Sequence, residues 1–111
     1  MDKHIILQNK EQASSLIQER IFYFNQFYSF QYNKITIKRQ KTRWGSCSKK
    51  GNLNFNYKIA LLPQHLADYI IAHELCHLVV FNHSQKFWDF LRKLVPNYLV
   101  AKRELRNYDK K

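Results

Sequence analysis

The chain has 111 residues, 45% hydrophobic and 15% aromatic, and 19 basic side chains against eight acidic ones give it a formal net charge of +11. That length suits a single domain over residues 1–111, and so apolar and aromatic a composition excludes a disordered chain. No apolar run approaches the ~18 residues of a membrane span and no signal-peptide core opens the chain, which argues against a membrane protein, while Cys47 and Cys76 are too few for a disulfide framework and suit a reducing, cytoplasmic setting.

Met1 to Leu7 reads as a short leading segment or an edge strand. Asn9, with Gln12 three residues on, has the form of a capping box and predicts a helix running to about Tyr28. Leu16, Ile17, Ile21, Phe24, Phe27 and Tyr28 recur at helical spacing, and this broad apolar face suits core packing better than a ligand box. From Lys34 to Lys41 the period changes to two, with Ile35 and Ile37 inward and Lys34, Thr36 and Lys38 outward, as in a half-exposed strand. The outward lysines suit a sheet edge, where charge discourages pairing with another chain. Lys49-Lys50-Gly51-Asn52 marks a turn, and the alternation of Leu53, Phe55 and Tyr57 after it predicts a hairpin or meander.

Pro63 opens a helix expected from about Gln64 to Phe81, ended by Asn82 in a left-handed conformation. Ser84 is placed to cap a further helix, whose Phe87, Phe90, Leu91 and Leu94 form a stripe stopped near Pro96. Tyr98, Ala101, Leu105 and Tyr108 mark a last one. The order predicts an α+β fold in which a small, mostly antiparallel sheet packs on the central helix, with helices at both ends of the chain.

The central helix carries an H-E-x-x-H motif, His73-Glu74-Leu75-Cys76-His77. Residues four apart share a helix face, so His73 and His77 can aim ring nitrogens at one metal ion, and Glu74 stands about 100° round from His73, beside the metal. There a carboxylate can take a proton from metal-bound water. Glu74 is the only carboxylate between Tyr69 and Phe81, and an unpaired carboxylate in an apolar run is expensive. The bland alternative, two satisfied histidines and an ordinary helical glutamate, accounts less well for that setting.

A catalytic zinc takes three protein ligands and keeps a fourth position open. His83, six residues after His77, is the stronger candidate for the third, and Glu104 is the other. His4 and His65 lack such company and read as surface residues. The His73, His77 and His83 spacing is also that of the metzincins, but Val80 stands where those have glycine, and the one methionine is Met1, so that family is excluded.

Thr42-Arg43-Trp44-Gly45-Ser46-Cys47-Ser48, Leu53-Asn54-Phe55, His73-Glu74-Leu75-Cys76-His77-Leu78, Asn82-His83-Ser84 and Phe87-Trp88 occur in this order. Together, over about residues 34 to 108, they resemble the YgjP-like metallopeptidase-domain family, minimal zincins related to the WLM and SprT-like proteases. The resemblance implies one Zn2+ per chain on His73, His77 and His83, Glu74 as catalytic base, and a sheet edge that binds an extended peptide. In the Arg43-to-Cys47 segment, Gly45 permits close backbone approach, and Arg43 can bind a carboxylate, a phosphate or an oxyanion. Trp44 reads as a core anchor or cleft wall. Arg43 and Tyr98 are the first candidates for transition-state stabilisation; no spacing pairs Cys47 with a free histidine.

Between Lys34 and Lys50 there are seven basic residues and no acidic one. Either this is a solvated face, or it meets nucleic acid or another polyanion. Three functions follow: a zinc metallopeptidase acting on peptides or proteins, a metal-dependent nucleotide or phosphoester hydrolase, and a basic nucleic-acid-associated binding module with a zinc site.

Overall fold

A computed structural model describes residues 3–40 and 42–109, with side chains from residue 8 onward. Four helices and three strands follow in the order α1 (Lys3–Asn25), β1 (Lys34–Lys38), β2 (Gly45–Cys47), β3 (Asn52–Asn56), α2 (Gln64–His77), α3 (Gln85–Leu94) and α4 (Tyr98–Asp109), with a 3-10 turn at Tyr57–Leu61. The α+β class is as the sequence predicts.

Helix α2 is the centre of the molecule. Ten of its 14 residues are buried, among them Leu66, Ile70, Ile71 and Leu75, so it is apolar nearly all round. Helix α1 lies against it with Ile17, Ile21 and Phe24 inward, and the Arg20 guanidinium grips both oxygens of Asp68, at 2.7 and 3.0 Å. The first helix starts earlier than expected: Asn9 is a buried residue within it, and residues 3–7, read above as a leading segment or strand, are helical. It also ends sooner. The Asn25 side chain accepts from the backbone N–H of Phe30 at 2.9 Å, turning the chain away, so that Phe27, assigned to the apolar face, is exposed.

The sheet is mixed and ordered β1-β3-β2. Strand β2 pairs with β3 antiparallel, as expected of a hairpin, but β1 pairs with β3 in parallel, Ile35 opposite Leu53 and Ile37 opposite Phe55. Alternation along β1 reports which face is buried and says nothing of the neighbour. Between β1 and β2, Asn56 ties Gln40 and Arg43 to the end of β3. The buried Asn56 amide donates to the carbonyls of Gln40 and Arg43 at 2.9 and 3.1 Å, while its side-chain oxygen accepts from the Lys58 N–H that opens the 3-10 turn. Gly51, at φ +82°, makes the β2–β3 turn, a conformation that glycine adopts at no steric cost. Both β1 and β2 are therefore edges. Lys34 and Lys38 are exposed at the ends of β1, and the outer edge of β2 lies along a cleft above α2.

Candidate metal centre

Helix α2 ends at His77, four residues before the expected Phe81. The apolar run Leu78-Val79-Val80-Phe81 continues the helical periodicity in sequence, yet the chain tightens through Leu78 and Val79, whose N–H groups reach back only three residues to Leu75 and Cys76. No non-glycine residue among those described has positive φ, so Asn82 does not make the left-handed stop expected of it. Its side chain instead accepts from the Ser84 N–H at 3.3 Å, leading into α3, where Ser84 occupies the N-cap position through its backbone alone.

This turn folds His83 back over the helix. The ring nitrogens of His73, His77 and His83 lie within 4.8 Å of one another, and Nε2 of His77 is 3.0 Å from Nε2 of His83. Nitrogens on one tetrahedral zinc stand about 3.4 Å apart, so the three imidazoles fit such an ion with little movement. The second bond of His77 settles its tautomer. Nδ1 lies 3.1 Å from the Val80 carbonyl, which can only accept, so the neutral ring carries its proton there and turns the Nε2 lone pair inward. Burial lowers the pKa of His77 below the ordinary histidine value despite that bond, and burial with the neighbouring imidazoles lowers that of His83. Both shifts favour the neutral form that binds metal.

Aromatic rings hold the imidazoles. Phe87 stacks on His77 at 4.4 Å and meets His73 and His83 edge-on, while Trp88 stacks on His83 at 5.7 Å. Tyr98 stacks in turn on Trp88 at 5.5 Å, and the Lys102 ammonium sits 4.6 Å over the same indole. His83 is an exposed loop residue, so this ladder is its main lateral support. Trp88→Leu should weaken zinc binding about 10- to 100-fold and Trp88→Phe far less, read by competition with a chromophoric chelator.

Glu74 is only 6% exposed, with Oε2 3.3 Å from Nδ1 of His73. Behind it stands Gly45. A methyl group there would lie 3.1 Å from the Asn54 carbonyl oxygen and 3.2 Å from Cγ of Glu74, so the absence of a side chain is what lets β2 close over the helix. The expected close approach is thus to Glu74 and to β3. Gly45→Ala should cost about 1–3 kcal/mol in denaturant unfolding. By displacing the carboxylate it should also lower turnover by up to about 10²-fold.

The cleft over this centre has a volume of about 490 Å³, within the range of small-ligand sites. Arg43, Trp44, Gly45, Ser46 and Cys47 line it, as do Tyr69 and Phe81, whose rings lie beside His73 and His77. Of the sequence candidates, Arg43 and Trp44 both line it. Tyr98 is not among the residues lining the cleft; it serves the centre through Trp88. Tyr69, one helical turn before His73, lines the cleft instead, its pKa raised to about 12 by burial and by the Glu74 carboxylate, so its hydroxyl stays a hydrogen-bond donor at neutral pH. The sequence assigned it no role, since nothing in an apolar run marks one aromatic as lining a cleft. The Cys47 thiol, pushed up to about 11 by burial and Glu74, is not a thiolate at neutral pH, which agrees with setting it aside as a nucleophile.

Glu104 lies elsewhere, 2.6 Å from His65 in an exposed pair joining α4 to α2, which also gives His65 the partner its sequence context did not suggest. The side chain of His4 falls outside the described residues. Of the basic stretch, Lys34, Lys38, Arg39, Arg43, Lys49 and Lys50 are exposed, and Arg43 alone among its described basic residues lines the cleft. No helix among the described residues is long and apolar enough to cross a membrane.

The fold is that of two solved metallopeptidase zymogens. Abylysin of Pyrococcus abyssi superposes with a TM-score of 0.70 at 20% identity, covering 86% of this chain and 93% of that one. Jannalysin of Methanocaldococcus jannaschii superposes with a TM-score of 0.64 at 28% identity, covering 88% and 95%. No curated protein matches the chain. The sequence itself matches the YgjP-like metallopeptidase domain over residues 1–108, so that helix α1 is included along with the motifs that begin at β1, and the chain belongs to the YgjP-like metallopeptidase-domain family.

Proposed function

We propose that this metallohydrolase is a zinc peptidase in which His73, His77 and His83 hold one zinc ion and Glu74 is the general base. The observation that carries the reading is the convergence of three imidazoles beside one buried carboxylate, under a strand with a free edge. Zinc in an all-nitrogen site with an open position supplies Lewis acidity for the scissile carbonyl and makes water nucleophilic near neutral pH.

The remaining work falls to the protein. The outer edge of β2 offers backbone groups to an extended peptide, which binds as an added strand. Glu74 takes a proton from the attacking water and delivers it to the leaving amide nitrogen, so that the bond breaks into a carboxylic acid and an amine. Gly45 fixes how far that carboxylate can retreat, and the Tyr69 hydroxyl, which lines the cleft beside His73, is the donor for the developing oxyanion. The two free thiols suit a reducing compartment, and we place the protein in the cytoplasm.

Zinc-loaded protein assayed in parallel on unfolded polypeptides and on nucleoside triphosphates tests the reading. Peptide products that disappear with Glu74→Gln are expected. Phosphate release without peptide cleavage would favour the phosphoester hydrolase and contradict the peptidase.

A further inference from the structure

The cleft does not end at Trp44. Arg43 and Trp44 also line a second cavity, of about 310 Å³, which extends to Gln40, Asn56, Lys58 and Asp109. The direction of a bound peptide says what would enter it. A chain added antiparallel to the outer edge of β2 runs from Cys47 toward Gly45 and then past Trp44 and Arg43. Gly45 is the β2 residue that backs onto Glu74, so the bond being cut lies level with it. Everything alongside Trp44 and Arg43 is therefore on the carboxyl-terminal side of the cut. Two residues of strand span about 7 Å, which places the second residue past the cut opposite Arg43.

The charges there are unevenly matched. Among the described residues neither Arg43 nor Lys58 makes an ion pair. The one acid among the described residues that line the cavity, Asp109, accepts from the Trp44 indole N–H at 2.7 Å. Among the described residues two cations thus share the cavity with one carboxylate, one oxygen of which is taken by Trp44. Gln40 adds a buried side-chain oxygen with no hydrogen-bond partner among the described residues, an acceptor a peptide N–H would satisfy.

We propose that this second cavity is a substrate subsite for a carboxylate on the second residue past the scissile bond, gripped by Arg43 with Lys58 in support. The carboxylate is the side chain of Asp or Glu, or a free C-terminus. The inference rests on the peptidase reading and adds a substrate class to it. A guanidinium suits the task because its fork meets both carboxylate oxygens.

The experiment is cleavage of a peptide library by the zinc-loaded full chain, read by mass spectrometry, then matched peptides carrying Asp, Gln or Lys at that second position, each as free acid and as amide. Wild type should prefer Asp over Lys by on the order of 10- to 100-fold in kcat/KM. Arg43→Gln should flatten the preference, Arg43→Glu should turn it toward Lys, and Asp109→Asn, which keeps an acceptor for Trp44, should sharpen it. A preference for acid over amide assigns the subsite to the chain terminus; a preference for Asp in both forms assigns it to a side chain. Equal cleavage of Asp and Lys peptides with no preference for acid over amide, or a preference unchanged by Arg43→Glu, overturns the subsite and leaves the peptidase standing. If no peptide is cut, the peptidase reading falls, and fluorescence anisotropy of labelled Asp and Lys peptides, each as free acid and as amide, on the same protein still decides: equal binding of all four overturns the subsite.

Discussion

Glu74→Gln, loaded with zinc to the wild-type stoichiometry, should cleave peptides about 10²- to 10⁴-fold more slowly, the usual worth of a positioned general base. The substitution is close to isosteric. The amide fills the same space in front of Gly45, so β2 need not move, and the three imidazoles keep their Phe87 and Trp88 supports. What is lost is the proton acceptor. An amide oxygen can accept a hydrogen bond from water and cannot take its proton. Burial makes the contrast sharp, since a 6% exposed side chain leaves little room for bulk water to replace it. Zinc content measured on the same preparation separates this outcome from collapse of the site.

The second large effect concerns His83. Zinc sites with four protein ligands bind with roughly 10–16 kcal/mol, so one ligand is worth about 3 kcal/mol, on the order of 10²-fold in affinity. His83→Ala should therefore weaken zinc by about that factor. His73 and His77 are fixed by the rigid, buried end of α2, whereas His83 is delivered by a loop, and its loss leaves two nitrogens that cannot close the site. Glu104→Ala should leave affinity unchanged, because that carboxylate is spent on His65 at the outer face of the helices. Titration of both variants against a chelator of known affinity reads the difference.

Much of this centre was legible in the sequence because it is local. His73, Glu74 and His77 sit within five residues on one helix, and His83 is close enough behind that a single turn brings it back. Where that turn begins was not legible. Leu78 to Phe81 continue the apolar period, and only the shortened backbone bonds of Leu78 and Val79 reveal that the helix has stopped. Long-range features were hidden for a related reason. Period two in β1 assigns its inward face and leaves the parallel partner open. Asn56, which ties Gln40 and Arg43 to the end of β3 and so presents Arg43 and Trp44, looks like any polar strand residue until its two carbonyl partners are seen. Tyr69, to which the sequence assigned no role, lines the cleft in place of the candidate Tyr98 on the same account. Both are aromatics in amphipathic or apolar helices, and only packing decides that one lines the cleft while the other braces Trp88.

The claim on which the rest depends is that the three histidines hold zinc with a position left open for chemistry. X-ray absorption at the zinc edge of the loaded protein tests it in one measurement. One zinc per chain with three imidazole nitrogens and an exchangeable oxygen, all at about 2.0–2.1 Å, is the predicted result. A sulfur near 2.3 Å, which would bring in Cys47, or a fourth protein nitrogen closing the shell, would contradict it and mark the site as structural.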